Sequence, residues 1–138
     1  HHDTKLKFLI KPVLKLKGKI LQIKEILKNE YIGYNQTYKT KKKTKIANIG
    51  IGYGDGISRI LSNSGNVYFK NQTFKIIGRI SMDSTTIDIT KNKYKINIGG
   101  YIDLINYKND IEKYAKKYAT ISREILTSIN QRVKRAYI

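Results

Sequence analysis

The stretch "ANIGIGYGDGISR", Ala47 to Arg59, carries glycine at every second place: Gly50, Gly52, Gly54 and Gly56. Glycine-rich turns bind phosphate when they follow a strand and open a helix whose N–H groups face the anion. This run lacks that context. A Walker loop ends in Lys-Ser or Lys-Thr, and a dinucleotide loop reads Gly-x-Gly-x-x-Gly before a long helix. Here the spacing is two throughout, and the "ISRILSNSG" that follows is short and polar. Alternate glycines instead leave one face of an extended segment bare, so that another backbone or a ligand can come close. Gly54-Asp55-Gly56 then reads as a tight turn. Two readings stay open: a strand packed closely on a neighbour, or a strand end that carries Tyr53 into a ligand pocket.

Other chemistry-bearing residues are sparse. Asp83 and Asp88 stand five apart in "MDSTTID". On a strand they point to opposite faces and cannot act as a carboxylate pair. There is no cysteine, and the two histidines are His1 and His2. No triad, thiolate zinc site or metal cluster is expected. The eleven tyrosines could stack on bases, but tyrosine is also favoured in strands.

The elements that must position these residues read mostly as strands. Residues 1–11 read as a tag remnant and linker, and Pro12 opens a single folded domain, 12–138. "VLKLKGKILQIKEIL" alternates, with Leu14, Leu16, Gly18 and Ile20 on one face and Lys15, Lys17 and Lys19 on the other. The phase slips at Ile20-Leu21, which predicts a bulge or corner. "KNEYIG" turns the chain. "TKIANIGIGY" reads as a second alternating strand reaching Tyr53, and "GDGISRILSNSGN" as an irregular loop. "VYFKNQTFKIIG" reads as a hairpin around Lys70-Asn71-Gln72. "RISMDSTTIDIT" and "GGYIDLI" supply further strands. Ile111, Tyr114, Ala115 and Tyr118 fit a short helix with a capping box at Asn109 and Glu112. Ile121, Ile125, Leu126 and Ile129 fit a second, and "RVKRAYI" reads as a closing strand. The expected fold is mainly β: an antiparallel, barrel-like domain with a short helical element near the C-terminus.

The chain has 138 residues and a formal net charge of +18, from 28 Lys+Arg against 10 Asp+Glu. That balance suits contact with polyanions. The bases are mostly lysine, spread evenly among Ile, Asn and Tyr, as in proteins encoded by A/T-rich genomes. No apolar run reaches the ~20 residues of a membrane span. No signal-peptide pattern opens the chain, so a cytoplasmic location without membrane contact is expected.

Several segments occur together and in order: "PVLKLKGKILQIKEI", "IGYNQTYKT", "KIANIGIGYGDGISRILSN", "IIGRISMDSTTIDIT" and "TISREILTSINQRVKRAYI". They contain the patterns GY-x-x-TY, GYxDG, GR-x-x-MD and R-V-x-R. With these the chain resembles the C-terminal domain of bacterial alanine racemase over nearly its whole length. The resemblance implies an enzyme that uses pyridoxal phosphate (PLP) to interconvert L- and D-alanine and so supplies D-alanine for peptidoglycan. It implies an N-terminal (β/α)8 barrel that holds PLP on a lysine, absent from this sequence, and a head-to-tail homodimer. An amino acid joined to PLP has an acidified Cα–H. Racemisation removes a proton from one face and returns one on the other, so two bases must flank Cα.

By resemblance, the PLP lysine serves one face and Tyr34, from the partner subunit, the other. Tyr53 matches a tyrosine of the entrance corridor, as do Arg59, Arg79 and Asp83 among its polar residues. Met82 matches a residue whose backbone N–H contacts the substrate carboxylate. The chain departs from the pattern at Arg123, where many members have a tyrosine that contacts the PLP phosphate. A guanidinium can also bind phosphate, so Arg123 is the candidate for that contact. Asn35 stands where glycine is frequent. The fragment alone is expected to be inactive. The alternative reading, a nucleic-acid-binding basic β-barrel module, leaves these motifs unexplained.

Overall fold

The computed structural model describes residues 14–137. The expected leader, 1–11, and the entry at Pro12 lie outside the described residues.

β1 (Leu16–Ile26) is the long strand of the fold. Its first half buries Leu16, Gly18 and Ile20 and exposes Lys17 and Lys19, the alternation the sequence carries. Its register on β4 (Thr44–Ile49) shifts between Ile20 and Gln22, which is the bulge the phase slip implies. The bulge lets one strand serve two neighbours. Leu16–Lys19 pair with β8 (Tyr101–Ile105), and Ile20–Ile26 pair with β4. β7 (Thr85–Asp88) pairs with β4, and the hairpin of β5 (Asn66–Phe69) and β6 (Gln72–Lys75) joins at β8. The sheet order is β6-β5-β8-β1-β4-β7, all antiparallel. A bridge between Ile76 and Ile87, with Ile77 N–H donating to Thr86 O at 2.9 Å, brings the two edges together. The sheet is therefore a nearly closed barrel, and both its edges are covered.

The barrel is filled by branched aliphatic side chains. Ile20, Ile49, Ile87, Ile102 and Leu104 are each no more than 1 % exposed. A second, smaller apolar cluster of Ile26, Ile32, Ile46 and Ile77 lies under a short hairpin, β2 (Tyr31–Ile32) with β3 (Tyr38–Lys39). Thr40 ends that hairpin fully buried. Its hydroxyl donates to Leu27 O at 2.6 Å and accepts from Glu30 N–H at 3.0 Å, so its burial leaves no polar group unpaired.

Some sequence expectations shift. The second alternating segment stops at Ile49 and does not reach Tyr53, because the chain bends at Gly50. Only Thr85–Asp88 of "RISMDSTTIDIT" is a strand; Asp83 lies in the loop before it, so it and Asp88 are separated by local structure as well as by distance along the chain. The first helix, α1 (Ile111–Lys117), is capped by Asp110 rather than Asn109. The Asp110 carboxylate accepts from Lys113 N–H at 3.0 Å. In α2 (Ser122–Ser128), Ile125 is buried while Leu126 and the flanking Ile121 are exposed. "RVKRAYI" forms no strand over its described residues; Arg132 there reaches carboxylates instead of a ladder.

Candidate functional site

Tyr34 opens a 310 turn, Tyr34–Gln36, between β2 and β3. Its side chain lies outside what the structure describes. The backbone before it is fixed by contact. Gly33 has φ +85, and a Cβ there would lie 2.8 Å from Arg79 N and 3.0 Å from Gly78 Cα. Gly78, at φ +75, would meet Gly33 Cα at 3.1 Å in return. Two glycines of two separate motifs thus lie backbone to backbone, as only glycine permits. Asn63 locks this contact. Its carboxamide oxygen accepts from Gly78 N–H at 2.6 Å, and its Nδ2 donates to Thr37 Oγ1 at 3.2 Å. Ser62 Oγ accepts from Ile80 N–H at 2.9 Å. Asn35 has φ +59, a region that glycine favours and that asparagine tolerates better than most residues.

The glycine run makes its close approach to the loop that carries Met82. A Cβ on Gly52 would lie 2.2 Å from Ser81 O and 2.6 Å from Met82 O. Tyr53 N–H donates to Ser81 O at 3.0 Å, and Gly54 N–H to Met82 O at 2.9 Å. Gly56, at φ +108, turns the chain against Ser128 O. The glycines here serve backbone packing and turning, and a 310 turn, Tyr53–Asp55, carries Tyr53 outward, 46 % exposed. Arg59 lies over the Tyr53 ring, 5.6 Å from its centroid. Met82 is 51 % exposed, and its N–H has no acceptor among the described residues.

Arg132 joins three segments. Its Nε donates to Asp55 Oδ1 at 2.6 Å, and a terminal nitrogen donates to Asp83. Asp55 is buried, and its other oxygen accepts from Gly52 N–H at 2.8 Å. The two carboxylates raise the Arg132 pKa, the hydrogen bond to Asp83 most and that to Asp55 next. Sequence pattern marks Asp55 only as a turn residue and gives Asn63 and Ser62 no role. The R-V-x-R pattern was the only signal for Arg132.

The expected site residues therefore fall into two groups. The backbones of Tyr34, Arg79, Met82 and Tyr53 belong to one contiguous patch, with Arg59 on Tyr53 and Asp83 on Arg132. Arg79 is exposed. Arg123 stands apart on α2, exposed, with no acceptor for its guanidinium among the described residues. A cleft of about 510 Å³ lies beside the patch, bordered by Tyr53, Ile57, Tyr114, Tyr118, Glu124 and Ile125. Tyr114 meets Tyr118 edge to face at 4.9 Å. Burial raises the Tyr114 pKa well above the usual phenol range, and its neighbours Tyr118 and Tyr68 add to this.

The donor set answers part of what PLP would need. An unpaired guanidinium at Arg123 fits a phosphate oxygen. The lysine that would carry the cofactor has no candidate, because every described lysine side chain is exposed and none lies in an enclosed pocket. Among the described residues no group of three or more His, Asp or Glu could hold a metal, and no helix is long and apolar enough to cross a membrane.

Residues 13–137 match the family described as "Alanine racemase, C-terminal domain". An alanine racemase of Clostridium perfringens is 41% identical over 132 residues, covering 93% of this chain and 34% of its own length. One from Brucella ovis is 37% identical over 139 residues, covering 100% and 35%. A solved alanine racemase from Bartonella henselae, with covalently bound pyridoxal phosphate, superposes with a TM-score of 0.86 at 40% identity, covering 90% of this chain and 34% of that one. The chain spans about a third of the length of these curated relatives.

Proposed function

The chain belongs to the alanine racemase C-terminal domain family, and from that premise we propose that it is the C-terminal part of a PLP-dependent racemase interconverting L- and D-alanine. The D-alanine would serve peptidoglycan, and a cytoplasmic homodimer belongs to the same reading. What supports it is the contiguity of the motifs: Gly33 on Gly78, Gly54 on Met82, and Arg132 on both Asp55 and Asp83. The lysine that carries the cofactor would come from an N-terminal barrel outside this sequence. Arg123 would contact the phosphate.

When bound, PLP makes the Cα proton of an amino acid acidic enough to move. Tyr34, offered to the partner subunit's site, would hold or release that proton on one face. A free phenol titrates near pH ~10, so it needs help to act as a base near neutrality. Arg79, whose backbone N lies against Gly33, is an exposed cation close in the fold to the Tyr34 turn and would be the group to supply that help. The Met82 N–H, which has no acceptor among the described residues, would bind the substrate carboxylate, while Tyr53 with Arg59 and Asp83 would line the way in. Alone, the chain would be inert.

The test uses the full-length protein, intact and as Tyr34→Phe. Loss of a positioned base lowers racemisation by about 10²–10⁴-fold. Cα-proton exchange with solvent is followed separately from L- and from D-alanine. Loss from one enantiomer with the other partly retained supports Tyr34 as one base of two. Near-normal exchange from both removes Tyr34 from that role.

A further inference from the structure

The Arg132 fork is the point where three segments distant in sequence depend on a single side chain. Its Nε is bound to a buried carboxylate, Asp55, whose second oxygen already holds Gly52 N–H. Asp55 also takes Asn130 N–H on its backbone oxygen at 3.0 Å, so this arm is anchored at both ends. The other arm ends on Asp83, whose side chain is 72% exposed. A Cβ on Gly54 would lie 3.2 Å from the Arg132 guanidinium, so the fork lies directly on the Tyr53 turn. Asp83 follows Met82, and Met82 O takes the Gly54 N–H.

From this geometry we infer that Arg132 is a positioning residue for the substrate: it sets the Met82 loop against the Tyr53 turn, with Asp55 as the fixed arm and Asp83 as the releasable one. The inference rests on the racemase reading for what the site binds, and on the structure alone for the clamp. The guanidinium is suited to this because it presents donors in a rigid fork and so can hold two carboxylates at once. A lysine in its place is a point charge on a flexible stem and cannot reproduce that span. The Met82 N–H would hold the carboxylate in substrate and transition state alike. Misplacing it weakens binding uniformly, raising KM while leaving kcat. The exposed arm is open to screening by salt, and the buried arm is shielded.

The experiment uses the full-length protein as wild type, Arg132→Lys and Asp83→Asn. Alanine racemisation gives kcat and KM, and hydrogen–deuterium exchange reports the 52–56 amides. Arg132→Lys is expected to raise KM about tenfold, with kcat within about twofold, and to speed exchange at 52–56 while α1 is unchanged. Wild-type KM is expected to rise between about 0.05 and 0.5 M salt, and Asp83→Asn to raise KM about threefold and to abolish that salt dependence. Unchanged KM and unchanged exchange in Arg132→Lys overturn the clamp. A fall in kcat and in thermal midpoint at constant KM also overturns it, because that pattern is loss of fold. If wild type racemises no alanine, the functional reading fails, and exchange at 52–56 alone still decides whether Arg132 holds the two segments.

Discussion

Gly52→Ala adds one methyl group against backbone atoms that have nowhere to go. Its Cβ would stand 2.2 Å from Ser81 O, 2.6 Å from Met82 O and 2.7 Å from Met82 C. The φ of −146° is open to any residue, so the penalty is steric and not conformational. Relief requires the Tyr53 turn and the Met82 loop to part. That strains the bonds from Tyr53 N–H to Ser81 O and Gly54 N–H to Met82 O, each worth about 0.5–1.5 kcal/mol. Overpacking of this kind costs about 1–3 kcal/mol, and immovable backbone neighbours put Gly52→Ala at the upper end, about 3 kcal/mol. Gly50→Ala is the contrast. Its nearest neighbour is the Leu21 side chain at 3.0 Å, which is 53% exposed and free to rotate. It should cost below about 1 kcal/mol. Gly99→Ala isolates the other penalty, with φ +89 and nothing within 4 Å, at about 1–2 kcal/mol. Urea unfolding followed by circular dichroism, with an unchanged slope in denaturant, measures all three. The order Gly50 < Gly99 < Gly52 is expected. A Gly52→Ala variant within about 0.5 kcal/mol of wild type would refute the close-approach account of the glycine run.

Two smaller effects follow from single groups. Asp110→Ala should cost about 1 kcal/mol through loss of the α1 cap, and Asn109→Ala clearly less; equal losses in urea unfolding would restore Asn109 as the cap. Burial raises the Tyr114 pKa above its ordinary 10.0, so the folded state keeps a proton that the unfolded chain releases. The stability from this group is full below about pH 10 and falls as pH rises beyond it. The urea midpoint should hold through pH ~9 and drop above pH ~10, and Tyr114→Phe should drop less; identical profiles would show that Tyr114 does not titrate out of register with the unfolded chain.

Strand periodicity made much of the barrel legible. The slip at Ile20-Leu21 is the β1 bulge, and the Lys70-Asn71 turn is the β5–β6 hairpin. Two element ends depart from the sequence pattern for local reasons. Ile51 continues the alternation of β4, yet Gly52 beside it approaches Ser81 and Met82, and the strand gives way to a 310 turn. Asn109 and Asp110 are adjacent good caps, and the sequence does not rank them; extended geometry at Asp110 does. The candidate site was legible as four motifs, but not how they fit together. Arg132 and Asp55 lie 77 residues apart, and Asn63 and Gly78 lie 15 apart. Such pairings leave no periodic trace, because hydrophobic pattern reports which face is buried and says nothing of which polar groups meet.

The polar residues of these motifs divide by what they touch, and the division bears on where the chemistry is done. Asp55, Arg132, Asn63 and Ser62 spend their hydrogen bonds inside the chain, on each other or on backbone groups. Tyr53, Met82, Arg59, Arg79 and Arg123 face outward. A group that must take a Cα proton in a dry site gains nothing from an exposed position, since water competes for every hydrogen bond and screens every charge. Outward-facing tyrosine, arginine and an N–H with no acceptor among the described residues are useful when a second surface closes over them. Rigid internal bonds with outward chemistry are what a domain needs if it contributes one wall of a site and another polypeptide segment supplies the rest. If a second surface closes over this face as proposed, the Arg132 fork would keep the wall in shape before that surface arrives.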